Sequence, residues 1–359
     1  MTPRRTERGA RLLPLVILLA ACGAATPSAP AQATPGSPGA PTAAEQRSLA
    51  PTAAPTMALA RLPMGRIVFD RMDGNPEGAF LGSSTLGSDG SIIPLTLPVS
   101  TLGFNGIWSP DGTRLLINSF DGERGTIATL DPTTNAYVVI EPKGMAGELE
   151  CTDWTSDGGS VICSRGGPDP ADDGIYTVDI ATGKTSRLTT SEFHHATGTA
   201  GECGGGEGRA VYSPHSDLFA FVQQRCGTGP NPSSDEMGSL AVAEADGSNV
   251  RIIVPFGGVR THPGGEIAWS PTDNVIAFGT QDGRLQTVRA DGTELRTIEL
   301  GYLNFAYGPT WSPDGKWLLV TIDQPSRKDL YLVNVVDGSF APVTDGAAVE
   351  TFSDWGVDP

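Results

Sequence analysis

The chain has 359 residues, with 41 Asp and Glu against 24 Lys and Arg, for a net charge of −17. A surface this acidic repels phosphate backbones, which argues against nucleic acid as a partner. The length is enough for one large all-β domain or two smaller ones, and five cysteines are present.

Residues 1–21 open with Arg4, Arg5, Arg8 and Arg11, followed by an apolar run from Leu12 to Ala21 that Pro14 interrupts. The run is too short to span a bilayer as a stable helix. A basic start, an apolar stretch and small residues make up the layout of a secretory signal. The run ends Leu19-Ala20-Ala21-Cys22, which resembles the bacterial lipobox. The resemblance implies a lipid on Cys22 and an extracytoplasmic protein anchored to the cell membrane or envelope. Residues 22–62 are rich in Ala, Pro, Thr, Ser and Gly and almost free of large apolar side chains. Such a segment cannot bury enough surface to offset its ordering entropy, so a flexible tether is expected.

The remaining residues, 63–359, carry an internal repeat. IWSPDGTRLLI at 107–117 aligns with DWTSDGGSVIC at 153–163, VYSPHSDLFAF at 211–221, AWSPTDNVIAF at 268–278 and TWSPDGKWLLV at 310–320. A truncated copy, DWGVDP, ends the chain at 354–359. The aromatic anchors Trp108, Trp154, Tyr212, Trp269, Trp311 and Trp355 are spaced 46, 58, 57, 42 and 44 residues apart. That period suits propeller blades of four strands. Within each turn, Pro pre-sets φ, Asp bonds the local backbone and Gly accepts positive φ. The apolar run that follows reads as a buried second strand. A third strand then ends in a polar turn, as in GIYTVDIATG at 174–183 and DLYLVNVVDG at 329–338, and a fourth follows.

The ends complement one another. GRIVFD at 65–70 reads as a second strand with no first strand before it, followed by strands at 80–87 and 92–97. Glu350–Trp355 reads as a first strand with nothing after it. Together they predict a composite blade that closes a ring of six and removes two open sheet edges. The Trp-Ser-Pro-Asp-Gly turn, its apolar strand and a later strand ending in Asp-Gly resemble the WD40-like repeat of TolB-type six-bladed β-propellers, over about 65–359. Members of that family carry an α/β domain ahead of the propeller, where this chain has the apolar run and the tether.

Four cysteines remain besides Cys22. Relative to the anchors, Cys151 and Cys163 lie at offsets −3 and +9, and Cys203 and Cys226 at −9 and +14. Opposite residues of a hairpin share one sum of offsets, and these sums are 6 and 5. Disulfides Cys151–Cys163 and Cys203–Cys226 are therefore predicted, with four free thiols as the alternative. No CxxC spacing favours a metal site on them.

Propellers usually bind ligands over the central channel, on the face whose loops enter the innermost strands. Here the loop 190–209 carries His194, His195 and Glu202, and the next holds Arg260 and His262. A further loop contributes Tyr302, Phe305 and Tyr307, whose rings could stack on a sugar or a peptide. The opposite face, made of the short SPDG turns, reads as structural. No GxSxG, Walker-type or HExxH motif is present. The expected function is a monomeric, non-catalytic platform that binds an envelope protein, a peptide or a cell-wall glycan, with no cofactor. The alternative is a metal-dependent, lyase-like enzyme acting on polysaccharide, with a divalent ion on His194, His195 and His262.

Overall fold

The computed structural model describes residues 60–73, 80–87, 90–97, 102–120, 125–144, 149–165, 172–191, 206–225, 237–261, 266–301, 305–324, 327–344 and 348–358. These form 24 β-strands in six four-stranded antiparallel sheets, with no α-helix among the described residues. Five sheets are consecutive in sequence, within 102–140, 150–187, 206–259, 267–298 and 306–342. The sixth is composite. The last strand, β24 (Val349–Gly356), pairs with β1 (Arg66–Asp73), which continues to β2 (Phe80–Leu86) and β3 (Ile92–Pro94). In that seam Trp355 stands opposite Ile67 and Asp354 opposite Val68. Each sheet packs on its two neighbours, the composite one included, so the ring is shut. Numbered from the composite sheet, these are blades 1 to 6.

The repeated motif builds every blade in the same way. In blade 2 the first strand, β4 (Leu102–Trp108), meets the second at Trp108 opposite Leu115. The SPDG turn lies between them: Ser109 donates to the Asp111 carboxylate at 2.6 Å, and Thr113 N–H donates to it at 3.0 Å. Asp314 accepts in the same way from Ser312 at 2.7 Å. Three hydrogen bonds on one oxygen hold the Asp111 carboxyl down to a pKa of about 2, the Ser109 hydroxyl contributing most. The second strands supply the core. Leu115, Leu116 and Ile117, like Leu318, Leu319 and Val320, have no exposed surface because blades cover both faces of each sheet.

Neighbouring blades are stitched by polar groups at recurring positions. Asp70, on the second strand of blade 1, accepts the Asn105 N–H of blade 2 at 3.0 Å. Asn118 occupies the matching place in blade 2 and brackets Cys151 of blade 3, accepting its N–H at 2.9 Å and donating to its carbonyl at 2.8 Å. The anchor tryptophans add a second stitch. Trp154 donates its indole N–H to Ile107 O, and Trp311 to Ala268 O, each at 3.1 Å. Trp355 instead donates within the composite blade, to Met64 O just ahead of β1, at 2.9 Å. Folded chain already exists ahead of residue 63: Ala60 N–H donates to Pro342 O of blade 6 at 2.7 Å, and Leu62 is buried.

The Cys151–Cys163 disulfide is present, with the two residues directly opposite in their hairpin. Closing so short a loop stabilises by about 3 kcal/mol in the chain-entropy account. Cys22, Cys203 and Cys226 lie outside the described residues.

Candidate functional site

The channel is walled by the first strand of each blade: β4, β8 (Glu150–Trp154), β12 (Gly206–Tyr212), β16 (Ile267–Trp269), β20 (Ala306–Trp311) and β24. Most of these strands carry a bulge ahead of the anchor, at Phe104/Ile107, Cys151/Asp153, Gly208/Val211 and Tyr307/Thr310. A bulge re-aims the side chains around it. The residue three before the anchor takes positive φ at Asn105, Arg209 and Gly308. Asn and Gly adopt that conformation readily; Arg209 is held there by its partners.

Arg209 and one of those partners, Glu266, line a cavity of about 490 Å³ in the channel. Arg209 Nη1 lies 2.6 Å from Glu150 Oε1 and 3.4 Å from Glu266 Oε1. Burial works against the guanidinium charge, but the two carboxylates outweigh it and hold the pKa of Arg209 above the usual value. Asp153 and Asp354, each one residue before its anchor, line the same cavity. The anchor rings and Pro110, Pro214, Pro271 and Pro313 of the turns complete the lining. Its lining therefore reaches the SPDG turns. The short SPDG turns thus contribute to the cavity lining as well as shaping the hairpins.

The two aspartates are both stitches and site groups. Asp153 accepts the Tyr212 N–H of the next blade at 2.8 Å, and Asp354 accepts the Trp108 N–H at 2.7 Å. Asp153 also accepts its neighbour Trp154 N–H at 2.8 Å, and Asp354 the Thr310 hydroxyl at 3.3 Å. Both are half-buried, open to the channel yet ringed by protein. That desolvation pushes Asp153 up to about 7, against the backbone N–H bonds that lower it and with the nearby Asp354 charge adding to the rise. Burial raises Asp354 as well. Behind them Asp70 is raised to about 6, mainly by burial. The wall thus combines two aspartates whose burial favours the protonated form with aromatic anchors and the Arg209 guanidinium.

Sequence reasoning missed this lining. Its one legible signal is the Asp-Trp pair at 153–154 and again at 354–355. Of the expected ligand-face residues, His194, His195, Glu202, His262 and Tyr302 lie outside the described residues. Arg260, Phe305 and Tyr307 are described, and the structure brings them together. The Arg260 guanidinium lies 5.1 Å from the Tyr307 ring centre, and Phe305 stands exposed two residues away. Among the described residues no group of three His, Cys, Asp or Glu is arranged to hold a metal ion.

Six four-stranded blades around a channel define a six-bladed β-propeller. The structure is similar to TolB from Acinetobacter baumannii, with a TM-score of 0.59 and 18% identity over 82% of this chain and 67% of that one. It is similar to a putative TolB from Agrobacterium tumefaciens, at 0.53 and 16% over 82% and 91%. A chain of a nidogen/laminin complex matches at 0.59 and 9% over 81% and 98%. No protein-family model and no curated protein matches the chain. Identities this low speak to the fold, and one fold hosts unrelated functions.

Proposed function

We propose that this protein is an extracytoplasmic lipoprotein, anchored through Cys22, whose propeller is a non-catalytic platform that binds a protein, peptide or cell-wall glycan in its channel. The supporting observation is the open cavity of about 490 Å³, built from all six blades and lined by polar, charged and aromatic groups. A site of that size, with a few convergent polar groups among apolar walls, is the usual form of a binding pocket. The apolar run before Cys22 and the Ala/Pro/Thr-rich stretch after it support the anchor. The TolB likeness is in keeping with an envelope location.

The test uses the full chain expressed in a bacterial envelope, with a photo-crosslinker at Ser353 on the channel wall. A discrete adduct is expected. It should vanish when Ala268→Trp fills the cavity, provided the variant keeps its melting temperature. Replacing Cys22 with Ala should release the protein from the membrane fraction. An adduct that survives Ala268→Trp refutes the channel as the site, and membrane retention of the Cys22 variant refutes the anchor.

A further inference from the structure

Two carboxylates of the channel lining lack the ionic partner that the other charges there have. Asp153 and Asp354 stand at the same place in blades 3 and 1, each one residue before its anchor, and both line the cavity. They flank a single peptide unit of blade 2. Its N–H, on Trp108, donates to Asp354 at 2.7 Å. Its C=O, on Ile107, accepts the Trp154 indole N–H at 3.1 Å, and Asp153 accepts the Trp154 backbone N–H at 2.8 Å. The partners of both acids are neutral, namely backbone N–H groups and the Thr310 hydroxyl. Arg209, the one cation among the lining residues, is taken by Glu150 at 2.6 Å and Glu266 at 3.4 Å. Burial, and then the Asp354 charge, raise Asp153, as happens when two acids share a cavity with no cation between them.

Donors in the same lining are unused as well. The indoles of Trp154, Trp311 and Trp355 each donate to a carbonyl. Trp108 and Trp269, only 5% and 7% exposed, have no acceptor for theirs, and both line the cavity. Buried N–H groups of this kind suit the carbonyls of a bound peptide. The anchor rings already receive guanidinium groups of the chain itself. Arg66 lies 4.0 Å from the Trp108 ring centre, and Arg114 lies 5.2 Å from that of Trp154. We propose that the channel takes an arginine side chain of a peptide, with its guanidinium between Asp153 and Asp354 and peptide carbonyls toward Trp108 and Trp269. This rests on the channel being the binding site and names the chemistry it selects. A guanidinium is flat, stacks on aromatic rings and presents five donors in a fixed fork, so it can serve two carboxylates at once. An ammonium offers a compact point charge instead.

The test is calorimetric titration of the purified full-length protein at about pH 8, above the raised value of Asp153. The probes are N-acetyl-Gly-Arg-Gly-amide, its citrulline counterpart, glucosamine and calcium ion. The arginine peptide should bind one per chain, and the neutral citrulline peptide at least about tenfold more weakly, as loss of a charge-assisted pair predicts. Asp153→Asn combined with Asp354→Asn keeps an oxygen acceptor at both places and should bring the arginine peptide down to the citrulline affinity. Asp337→Asn, in an exposed turn, should change nothing. Equal binding of the two peptides to the wild type overturns the proposal, whether or not the double variant folds. Full binding to a folded double variant overturns it too. So does binding of glucosamine or calcium without the peptide, by assigning the acids to an amino sugar or a metal ion. If the Ser353 cross-linker still gives its adduct while the arginine peptide fails to bind, the guanidinium assignment falls and the channel reading stands. If the peptide still binds the Ala268→Trp variant, the channel itself falls as the site.

Discussion

The carboxylate of Asp354, on the last strand, accepts the backbone N–H of Trp108 at 2.7 Å, across 246 residues of chain. This bond ties the C-terminal strand to blade 2, one blade beyond the sheet that it completes. Asp354→Ala leaves the Trp108 N–H without its acceptor and should destabilise by about 1–3 kcal/mol. Asp354→Asn keeps an oxygen acceptor and should cost less. Asp153→Ala removes the same device between blades 3 and 4, away from the seam. If ring closure is a cooperative event, Asp354→Ala should lower the urea midpoint more than Asp153→Ala does. Equal midpoints for Asp354→Ala and wild type would remove the seam from any account of stability.

A pH profile follows from the buried acids. Asp70 and Asp153 are raised to about 6 and about 7, so the folded state holds their protons more tightly than the unfolded chain does. Stability must then fall as pH rises from about 4 to about 7, because the unfolded state loses its carboxyl protons first. The turn acids act oppositely. Asp111 is lowered to about 2, so its contribution is present above about pH 4 and is lost as pH falls toward 2. The melting temperature should therefore peak near pH 4–5 and decline toward neutrality. Asp153→Asn should flatten the neutral limb and leave the acid limb unchanged. A melting temperature that climbs steadily from pH 4 to 8 would contradict the assignment.

The blades were legible because each is written by local chemistry. Pro110, Asp111 and Gly112 specify a turn whatever surrounds them, and the period of the anchors counts the copies. Ring closure was legible because Ile67 and Trp355 are each half of an incomplete unit. The channel was not. Asp153, Arg209, Glu266 and Asp354 are far apart in sequence and meet only once six first strands converge. Their orientation depends on bulges, which add one residue to a strand and leave no compositional mark. Asp70 and Asn118 hold matching places in successive blades, yet each reads alone as a polar residue interrupting an apolar strand. The Cys151–Cys163 pairing succeeded because both cysteines sit in one hairpin, where arithmetic along the chain equals proximity.

The turn glycines carry a requirement that turn chemistry alone does not reveal. Gly112 has φ of 69°, and a Cβ there would stand 2.5 Å from Val357 O of the C-terminal segment. Gly90 has φ of 85°, but nothing lies within 4 Å of its Cβ position. Both replacements by Ala meet the left-handed penalty, about 1–2 kcal/mol. Only Gly112→Ala also pushes against backbone that closes the ring. Gly90→Ala should thus cost about 1 kcal/mol. Gly112→Ala should cost clearly more, and part of the excess should vanish when residues 357–359 are removed, since the obstructing carbonyl leaves with them. Denaturant titration of the two variants, each with and without the last three residues, reads this directly. If Gly112→Ala costs no more than Gly90→Ala, the turn is fixed by its own dihedrals alone, and the contact between blade 2 and the chain end has no energetic weight.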